Sequence, residues 1–291
     1  MALSDTQLTF FDGEWAEGNT LIVGAADHSM WHGNMVFDGA RFFEGVMPDL
    51  AHHCERVVAS AKTMGMKSPV TAEEIEGLVR DGIKRLGTEK AFYLRPMMWS
   101  VDCLPGIMEA DPNATRFAIC LEKIAMPPTG DMPMTVSPFL RPDPRTALTT
   151  AKAACLYPNN ARIITEAKSR GFKNALSLDL EGHVAESATS NVFLVKDGVV
   201  RTPVHNGTFL NGVTRRRVIG LLRADGYQVD EVSLTVEDFR DADEMFLTGN
   251  AAKVLPITAL DEQKLDYGPV TRKVRELYWD FAHTNYEKVA L

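Results

Sequence analysis

The sequence predicts an α/β protein made of two domains. Apolar patterns with strand and helix periodicity alternate along the chain, and the length of 291 residues allows one large domain or two of ordinary size. Residues 125–133 contain three prolines and one glycine and fit neither pattern, which indicates a break in the fold. We therefore expect a small N-terminal α/β domain over 1–123, an interdomain loop over 124–133 and a larger C-terminal domain over 134–291.

The N-terminal domain begins with turn signals. Asp12 and Gly13, and then the run 17–19, lie between short apolar runs and predict hairpins. Two later apolar runs, 92–99 and 117–121, predict strands.

Helices are predicted where apolar residues recur at helical spacing between a start signal and a glycine. Thr71 and Glu74 form a capping-box pattern, and the apolar positions that follow continue to Gly87. The elements predicted in the C-terminal domain are a helix over 158–170 that ends at Gly171, a strand over 175–179, a hairpin of 192–195 and 199–200 joined by Asp197 and Gly198, and a helix from Thr214 to about Asp225 that ends at Gly226.

Composition and charge argue against several classes of protein. The net charge is −8 and the longest basic run is 215–217, so we expect neither a nucleic-acid nor a membrane partner. The sequence has no apolar stretch of about 18 residues and no N-terminal basic region followed by an apolar one, so we expect a cytoplasmic protein. The four cysteines show no CxxC spacing, which predicts reduced thiols and no metal site.

Three ionisable residues are candidates for chemistry. Lys152 lies in the weakly polar run 149–154, where desolvation favours the neutral, nucleophilic amine; a solvated surface lysine is the alternative. Tyr157 supplies a phenol, or else it is a core tyrosine with a bonded hydroxyl. Glu186 lies among small residues before a predicted strand, where it either faces a ligand or is solvated.

Two further patterns suit the binding of anions. Gly212 and Thr214 open a predicted helix, whose first backbone N–H groups and dipole attract an anion such as a phosphate. Tyr93 and Arg95 alternate on a predicted strand and point to the same face, which suits binding of a carboxylate. Two exposed strand residues are the alternative, although the flanking residues are apolar.

The spacing of residues across 186–215 resembles the class IV aminotransferases, the fold-type IV pyridoxal-phosphate enzymes. The similarity extends from Asp27 to about Asp261 and implies a mixed α/β, barrel-like C-terminal domain, pyridoxal 5′-phosphate as cofactor and a homodimer. The residues that carry the resemblance are Glu186, Asn191, Phe193, Val200, Thr202, Leu210, Gly212, Val213 and Arg215.

The resemblance also implies roles for individual residues. Lys152 matches the catalytic lysine that forms a Schiff base with the cofactor, Tyr157 matches the phenol at the cofactor's ring oxygen, and Glu186 matches the acid that keeps the pyridine nitrogen protonated. Asn250 stands where the family often has threonine. The residues that correspond to the family's phosphate site are Arg56, Val213, Thr214, Asn250 and Ala251.

The N-terminal half resembles the branched-chain amino-acid aminotransferases in particular. Residues 93–96 are similar to their Tyr-Ile-Arg-Pro, and residues 36–41 are similar to their Val-Phe-Glu-Gly-Ile-Arg. His32 stands where those enzymes usually have tyrosine, and the loop after Ile124 lacks their aromatic residues. The substrate-binding residues that the resemblance implies are His32, Phe37, Arg41, Tyr93 and Arg95.

Three functions remain open. The resemblance favours ping-pong transamination of a branched-chain amino acid, with 2-oxoglutarate as the 2-oxo acid acceptor. An (R)-selective amine or D-amino-acid transaminase of the same fold is the first alternative. A lyase similar to aminodeoxychorismate lyase, with the same lysine and cofactor, is the second.

Overall fold

The computed structural model describes residues 6–284, which belong to two compact units. The first unit contains the described residues up to Met126 and the segment Ala151–Cys155, and the second contains 127–150 and 156–284. The division after Met126 lies inside the predicted interdomain loop, whereas the segment that carries Lys152 groups with the first unit. The predicted limits of the two domains stay predictions.

The first unit is a six-stranded antiparallel sheet with two long helices. Its strands follow the order β2-β1-β6-β5-β3, and β4 also pairs with β5. The elements are β1 Gln7–Phe11, β2 Glu14–Glu17, α1 His28–His32, β3 Met35–Phe37, β4 Ala40–Phe42, α2 Leu50–Thr63, α3 Ala72–Leu86, β5 Phe92–Ser100 and β6 Thr115–Lys123.

One face of this sheet packs on α2 and α3 and forms the core. The buried cluster takes alternate strand residues, such as Leu94 and Ile119, together with Val57 of α2 and Ile83 of α3. Because side chains alternate along a strand, the intervening residues of β3, β4, β5 and β6 share the opposite face. The residues that face away from the helices include several of the predicted substrate-binding residues.

The second unit contains two five-stranded sheets and four α-helices within the described residues. The strand orders are β12-β11-β10-β13-β14 and β16-β15-β7-β8-β9. The elements are β7 Pro133–Val136, α4 Tyr157–Ser169, β8 Asn174–Leu178, β9 Val184–Ser187, β10 Asn191–Lys196, β11 Val199–Pro203, α5 Val213–Ala224, β12 Val229–Val232, α6 Val236–Arg240, β13 Glu244–Gly249, β14 Lys253–Pro256, β15 Ala259–Leu260, β16 Gln263–Lys264 and α7 Pro269–Thr284.

Most predicted elements are confirmed, and the α/β class with them. The Thr71 hydroxyl accepts from the Glu74 N–H and the Glu74 carboxylate caps Thr71 in return, so the predicted capping box forms. Asp197 and Gly198 join β10 to β11 and adopt positive φ, as a two-residue hairpin turn requires. Asp12 and Gly13 likewise join β1 to β2.

The prediction of a second N-terminal hairpin, at residues 17–19, is wrong. Residues 18–27, between β2 and α1, form no strand and run in irregular structure. Leu21 is 93% exposed, so this apolar run packs against no sheet. β2 is the terminal strand of the ordered sheet, and its outer edge has no partner strand among residues 6–284, because the exposed run after it makes no apolar contact that would hold a further strand there.

No helix among residues 6–284 is long and apolar enough to cross a membrane. In the same part of the chain, no three His, Cys, Asp or Glu side chains are grouped to hold a metal ion. All four cysteines are free thiols.

Candidate active site

Lys152 is tied to the first unit through its backbone. Its N–H donates to Ser60 Oγ of α2 at 3.1 Å, and its carbonyl accepts from the N–H of Phe37 at 3.2 Å. The adjacent Ala153 forms a bridge to Val36 of β3. Lys152 Nζ lies 5.3 Å from the centre of the Phe37 ring. The structure thus brings the predicted catalytic amine to one of the predicted substrate-binding residues.

Arg56 is oriented by a buried acid. Its Nε and Nη2 donate to the two oxygens of Asp38 at 2.6 and 2.8 Å, and His53 Nδ1 lies 2.7 Å from the same carboxylate. Burial acts to raise the pKa of Asp38, but the charges and hydrogen bonds of Arg56 and His53 outweigh it and hold that pKa well below its usual range. The arginine therefore presents one fixed orientation. Sequence reasoning assigned no role to Asp38 or His53, although Asp38 lies in the run 36–41 that resembles the family and His53 lies one helical turn before Arg56.

The predicted substrate-binding residues of the sheet lie on one face. Their neighbours Val36, Ala40 and Leu94 belong to the core under the helices, so Phe37, Arg41, Tyr93 and Arg95 point away from it.

Gly39, in the turn between β3 and β4, makes room for Tyr93. A Cβ atom at Gly39 would collide with the Tyr93 hydroxyl. The tyrosine is thereby held against the same turn that carries Asp38.

Arg41 is buried, at 1% exposure, under this face. Its Nη2 donates to the carbonyl of Ala125 at 2.7 Å, its Nε approaches the sulfur of Met126 at 3.1 Å, and its guanidinium lies 5.9 Å from the Tyr93 ring centre. Burial lowers the pKa of Arg41 to about 10. Its described contacts are with protein groups, so contact with a substrate stays a prediction.

Arg95 is more open and has a carboxylate partner that sequence reasoning missed. Its Nη2 donates to Glu122 Oε2 at 3.3 Å, and its guanidinium lies 5.1 Å from the Tyr93 ring centre. Glu122 Oε1 accepts from Gln7 Nε2, also at 3.3 Å. No pattern in the sequence pointed to Glu122, because the contact depends on the register of β5 against β6.

His32 lies at the end of α1 in a group of aromatic rings. It stacks on His28 with ring centres 4.5 Å apart, and Trp31 packs edge-on against it. His32 Nε2 is buried and has no hydrogen-bond partner among residues 6–284. The following Gly33 packs close to Cys155, because a Cβ there would lie 3.3 Å from the Cys155 Cβ. His32 therefore lies near the segment that carries Lys152.

In the second unit, Glu186 of β9 is paired with a buried arginine. Arg141 Nη2 lies 3.0 Å from Glu186 Oε1, and both side chains are at most 10% exposed. Asn191 Nδ2 donates to Glu186 Oε2 at 3.3 Å, and Asn160 Oδ1 accepts from Arg141 at 2.6 Å. These contacts fix the position of the carboxylate. Sequence reasoning did not identify Arg141, which stands alone between Leu140 and a proline.

The N-terminus of α5 offers backbone donors. Gly212 caps the helix without a side-chain hydrogen bond, and the first intrahelical bond runs from the Arg216 N–H to the Gly212 carbonyl at 3.0 Å. The N–H groups before it, including those of Val213 and Thr214, have no partner within the helix. A Cβ at Gly212 would collide with Asn191 Oδ1, so the close approach requires glycine.

The loop after β13 lies beside the same asparagine. Asn191 pairs with Thr248 across the sheet, and the loop continues through Asn250 and Ala251. Lys253 Nζ donates to Asn250 Oδ1 at 2.8 Å, which directs the amide nitrogen of Asn250 away from the lysine. Asn250 Nδ2 and Thr248 Oγ1 are buried, and neither has a hydrogen-bond partner in the described part of the chain. Donors from two loops thus adjoin Asn191, an arrangement that suits an anion.

Tyr157 is the first residue of α4 and is partly buried. Pro158 follows it in the first turn, where the missing N–H of proline removes no helical hydrogen bond. The contact of the Tyr157 hydroxyl with a cofactor stays a prediction.

Comparison with known proteins agrees with this chemistry. A sequence model described as amino-transferase class IV matches residues 35–260. A branched-chain-amino-acid aminotransferase of Pseudomonas aeruginosa is 30% identical over 294 residues, which cover 96% of this chain and 94% of the relative.

Two solved structures are similar over nearly the whole chain. An aminotransferase from Brucella abortus bound to pyridoxal phosphate is 50% identical, with a TM-score of 0.95 and coverage of 96% of this chain and 100% of that one. The branched-chain amino acid aminotransferase of Escherichia coli is 28% identical, with a TM-score of 0.89 and coverage of 97% and 96%. The chain therefore belongs to the class IV aminotransferases, enzymes that use pyridoxal phosphate.

Proposed function

We propose that the protein transfers the amino group of a hydrophobic, branched-chain amino acid to 2-oxoglutarate, with Lys152 as the catalytic residue of a ping-pong reaction. The observation that carries this proposal is the contact of Lys152 with Phe37, on the sheet face that also bears Tyr93 and Arg95. The names of the Pseudomonas aeruginosa and Escherichia coli proteins support the choice of a branched-chain donor.

The residues of the chain fit pyridoxal phosphate. The phosphate would be held by the backbone of Val213, Thr214 and Ala251 and by the side chains of Asn250 and Arg56. Asn250 Nδ2 is buried and has no hydrogen-bond partner among residues 6–284, and such an anion would satisfy this donor. Gly212, which has no room for a side chain, fits the close approach of backbone to ligand.

Bound pyridoxal phosphate supplies an aldehyde and an electron-withdrawing ring, which together allow an amino group to pass between two carbon skeletons. Lys152 Nζ is the proposed site of covalent attachment and moves the proton of the exchange. Glu186, held in place by Arg141, would hold the proton of the ring nitrogen. Tyr157 would donate its phenol proton to the ring oxygen.

Substrate binding is assigned to the open sheet face. Arg95 and Tyr93 would bind a substrate carboxylate, and Phe37 would contact the apolar side chain. His32, whose buried Nε2 has no hydrogen-bond partner in the described part of the chain, would lie beside the substrate side chain in place of the family's tyrosine.

A second candidate function is transamination of (R)-amines or D-amino acids. The observation that favours it is the pairing of Arg95 with Glu122, which lowers the positive charge available to a substrate carboxylate. A panel of L-amino acids, D-amino acids and (R)-1-phenylethylamine, assayed with 2-oxoglutarate and with pyruvate, tests both. Turnover of leucine with 2-oxoglutarate above all other pairs supports the first function, whereas faster turnover of the amine would favour the second.

The homodimer is also a proposal. Leu21, Met30 and Trp31 expose large apolar side chains, at 93%, 61% and 55%, and association of two chains would cover such a surface. Light scattering on the purified protein should give twice the chain mass, and an active monomer would contradict the proposal. The cytoplasmic location predicted from the sequence stays a prediction.

A further inference from the structure

Arg95 already has a carboxylate partner within the protein. Its Nη2 donates to Glu122 Oε2 at 3.3 Å. The Arg95 side chain is 32% exposed, but that of Glu122 is only 10% exposed. A dissolved anion can therefore reach the arginine, whereas the glutamate is largely screened from solvent.

Glu122 is fixed from the other side as well. Gln7 lies directly opposite it on β1 and donates to Glu122 Oε1 at 3.3 Å. Each carboxylate oxygen thus has a donor, one neutral and one charged. A buried carboxylate with two such partners is stable in place, whereas Arg95 can turn toward solvent on its flexible stem.

We propose that Glu122 is an internal counter-ion of Arg95 that a substrate carboxylate must displace, and that it thereby sets the preference between substrates with and without a carboxylate. The inference rests on the proposed role of Arg95. When the ligand is a hydrophobic amine, Glu122 keeps the arginine paired beside the apolar pocket. When the ligand is an amino acid or a 2-oxo acid, its carboxylate loses part of its binding free energy to the broken pair and to repulsion from Glu122.

A matched pair of inhibitors isolates this effect from catalysis. 4-Methylpentanoate carries a carboxylate, and 4-methylpentanamide has nearly the same shape but no charge. Inhibition constants of both are measured on the holoenzyme for the wild type, Glu122→Gln and Glu122→Asp. We expect the Glu122→Gln enzyme to bind the acid about tenfold more tightly than the wild type, which corresponds to about 1.4 kcal/mol. The inhibition constant of the amide should stay within about twofold of the wild-type value. Glu122→Asp keeps the charge and should stay close to the wild type.

Equal shifts for acid and amide would show general damage to the pocket and overturn the inference, as would the absence of any shift. Arg95→Ala separates the inference from the proposed function, because it should abolish the difference between acid and amide. If Arg95→Ala leaves acid binding unchanged, the proposed carboxylate site is wrong and the inference falls with it. If Arg95→Ala acts as expected and Glu122→Gln does not, only the inference is wrong.

Discussion

Both backbone groups of Lys152 are hydrogen-bonded, so the base of its side chain is fixed while a flexible aliphatic stem carries the amine. Its amine lies beside the Phe37 ring, so an aromatic wall adjoins the nitrogen that we propose as the nucleophile. A lysine that only solvates a surface would need neither contact.

Lys152→Ala should lower turnover by about 10³-fold or more, because the nucleophile and the group that moves the proton are the same amine. Borohydride treatment of the wild type should bleach the visible absorbance and leave the label on Lys152. The exposed Lys168 of α4 offers a control, and Lys168→Ala should keep both activity and label. A label on any other lysine contradicts the assignment.

The ion pair of Asp38 and Arg56 predicts a pH-dependent stability. The pKa of Asp38 is lower in the folded protein than in the unfolded chain, where aspartate has a pKa of about 3.9. The pair therefore stabilises the protein above about pH 4, and this contribution is lost as the pH falls below it. Asp38→Asn should lower the free energy of unfolding by about 3 kcal/mol at neutral pH, and the difference from the wild type should shrink in acid. Urea unfolding across pH measures it; a constant difference would contradict this account.

Sequence comparison identified Arg56 but not its partner. Asp38 and Arg56 are separated by 18 residues, and their contact depends on how α2 packs on the turn after β3. The same holds for Arg141 and Glu186. A family motif names residues that face a ligand, whereas the acids and bases that orient them become visible only once the chain is folded.

Helices and hairpins were predicted well where the local sequence contains every residue that the turn or cap requires. The capping box at Thr71 and the turn at Asp197 and Gly198 each specify a backbone geometry within a few residues. The turn signal at 17–19 failed because a hairpin also needs a partner strand.

Gly212 at the N-terminus of α5 and Gly220 in its middle should respond in opposite ways to substitution by alanine. Gly212→Ala should push the loop away from Asn191, lower the free energy of unfolding by about 2 kcal/mol and weaken cofactor binding. A Cβ at Gly220, in the middle of α5, would meet no described atom within 4 Å apart from its chain neighbours and the backbone of its own helix, so Gly220→Ala should stabilise the helix by up to about 1 kcal/mol. Thermal unfolding and cofactor titration of both variants provide the test. Equal effects would mean that the approach to Asn191 has no functional role.

Local sequence patterns predict the elements of both units but not which unit a segment joins. The elements of each follow from local periodicity, but the membership of Ala151–Cys155 in the first unit does not, because it depends on a bridge between Ala153 and Val36. Long-range pairings of this kind leave no periodic pattern in the chain.

Removal of the cofactor should destabilise the protein as a whole. A ligand present at about 1,000 times its dissociation constant stabilises the folded state by about 4 kcal/mol. The apoprotein should therefore unfold at a lower temperature than the holoprotein, and inorganic phosphate should restore part of the difference by binding the donors near Gly212 and Asn250. Differential scanning calorimetry with and without phosphate measures it, and no response to phosphate would contradict the proposed phosphate site.

The hydrogen bond from Lys152 to Ser60 joins residues 92 positions apart, and it has a consequence for biosynthesis. Closing so long a loop is slow, since chain entropy must be lost before the contact forms. A growing or half-folded chain therefore does not hold the amine in its native surroundings. The proposed site at Lys152 is complete only after residues 60 and 152 have met, so specific binding of the cofactor there should follow folding of the first unit.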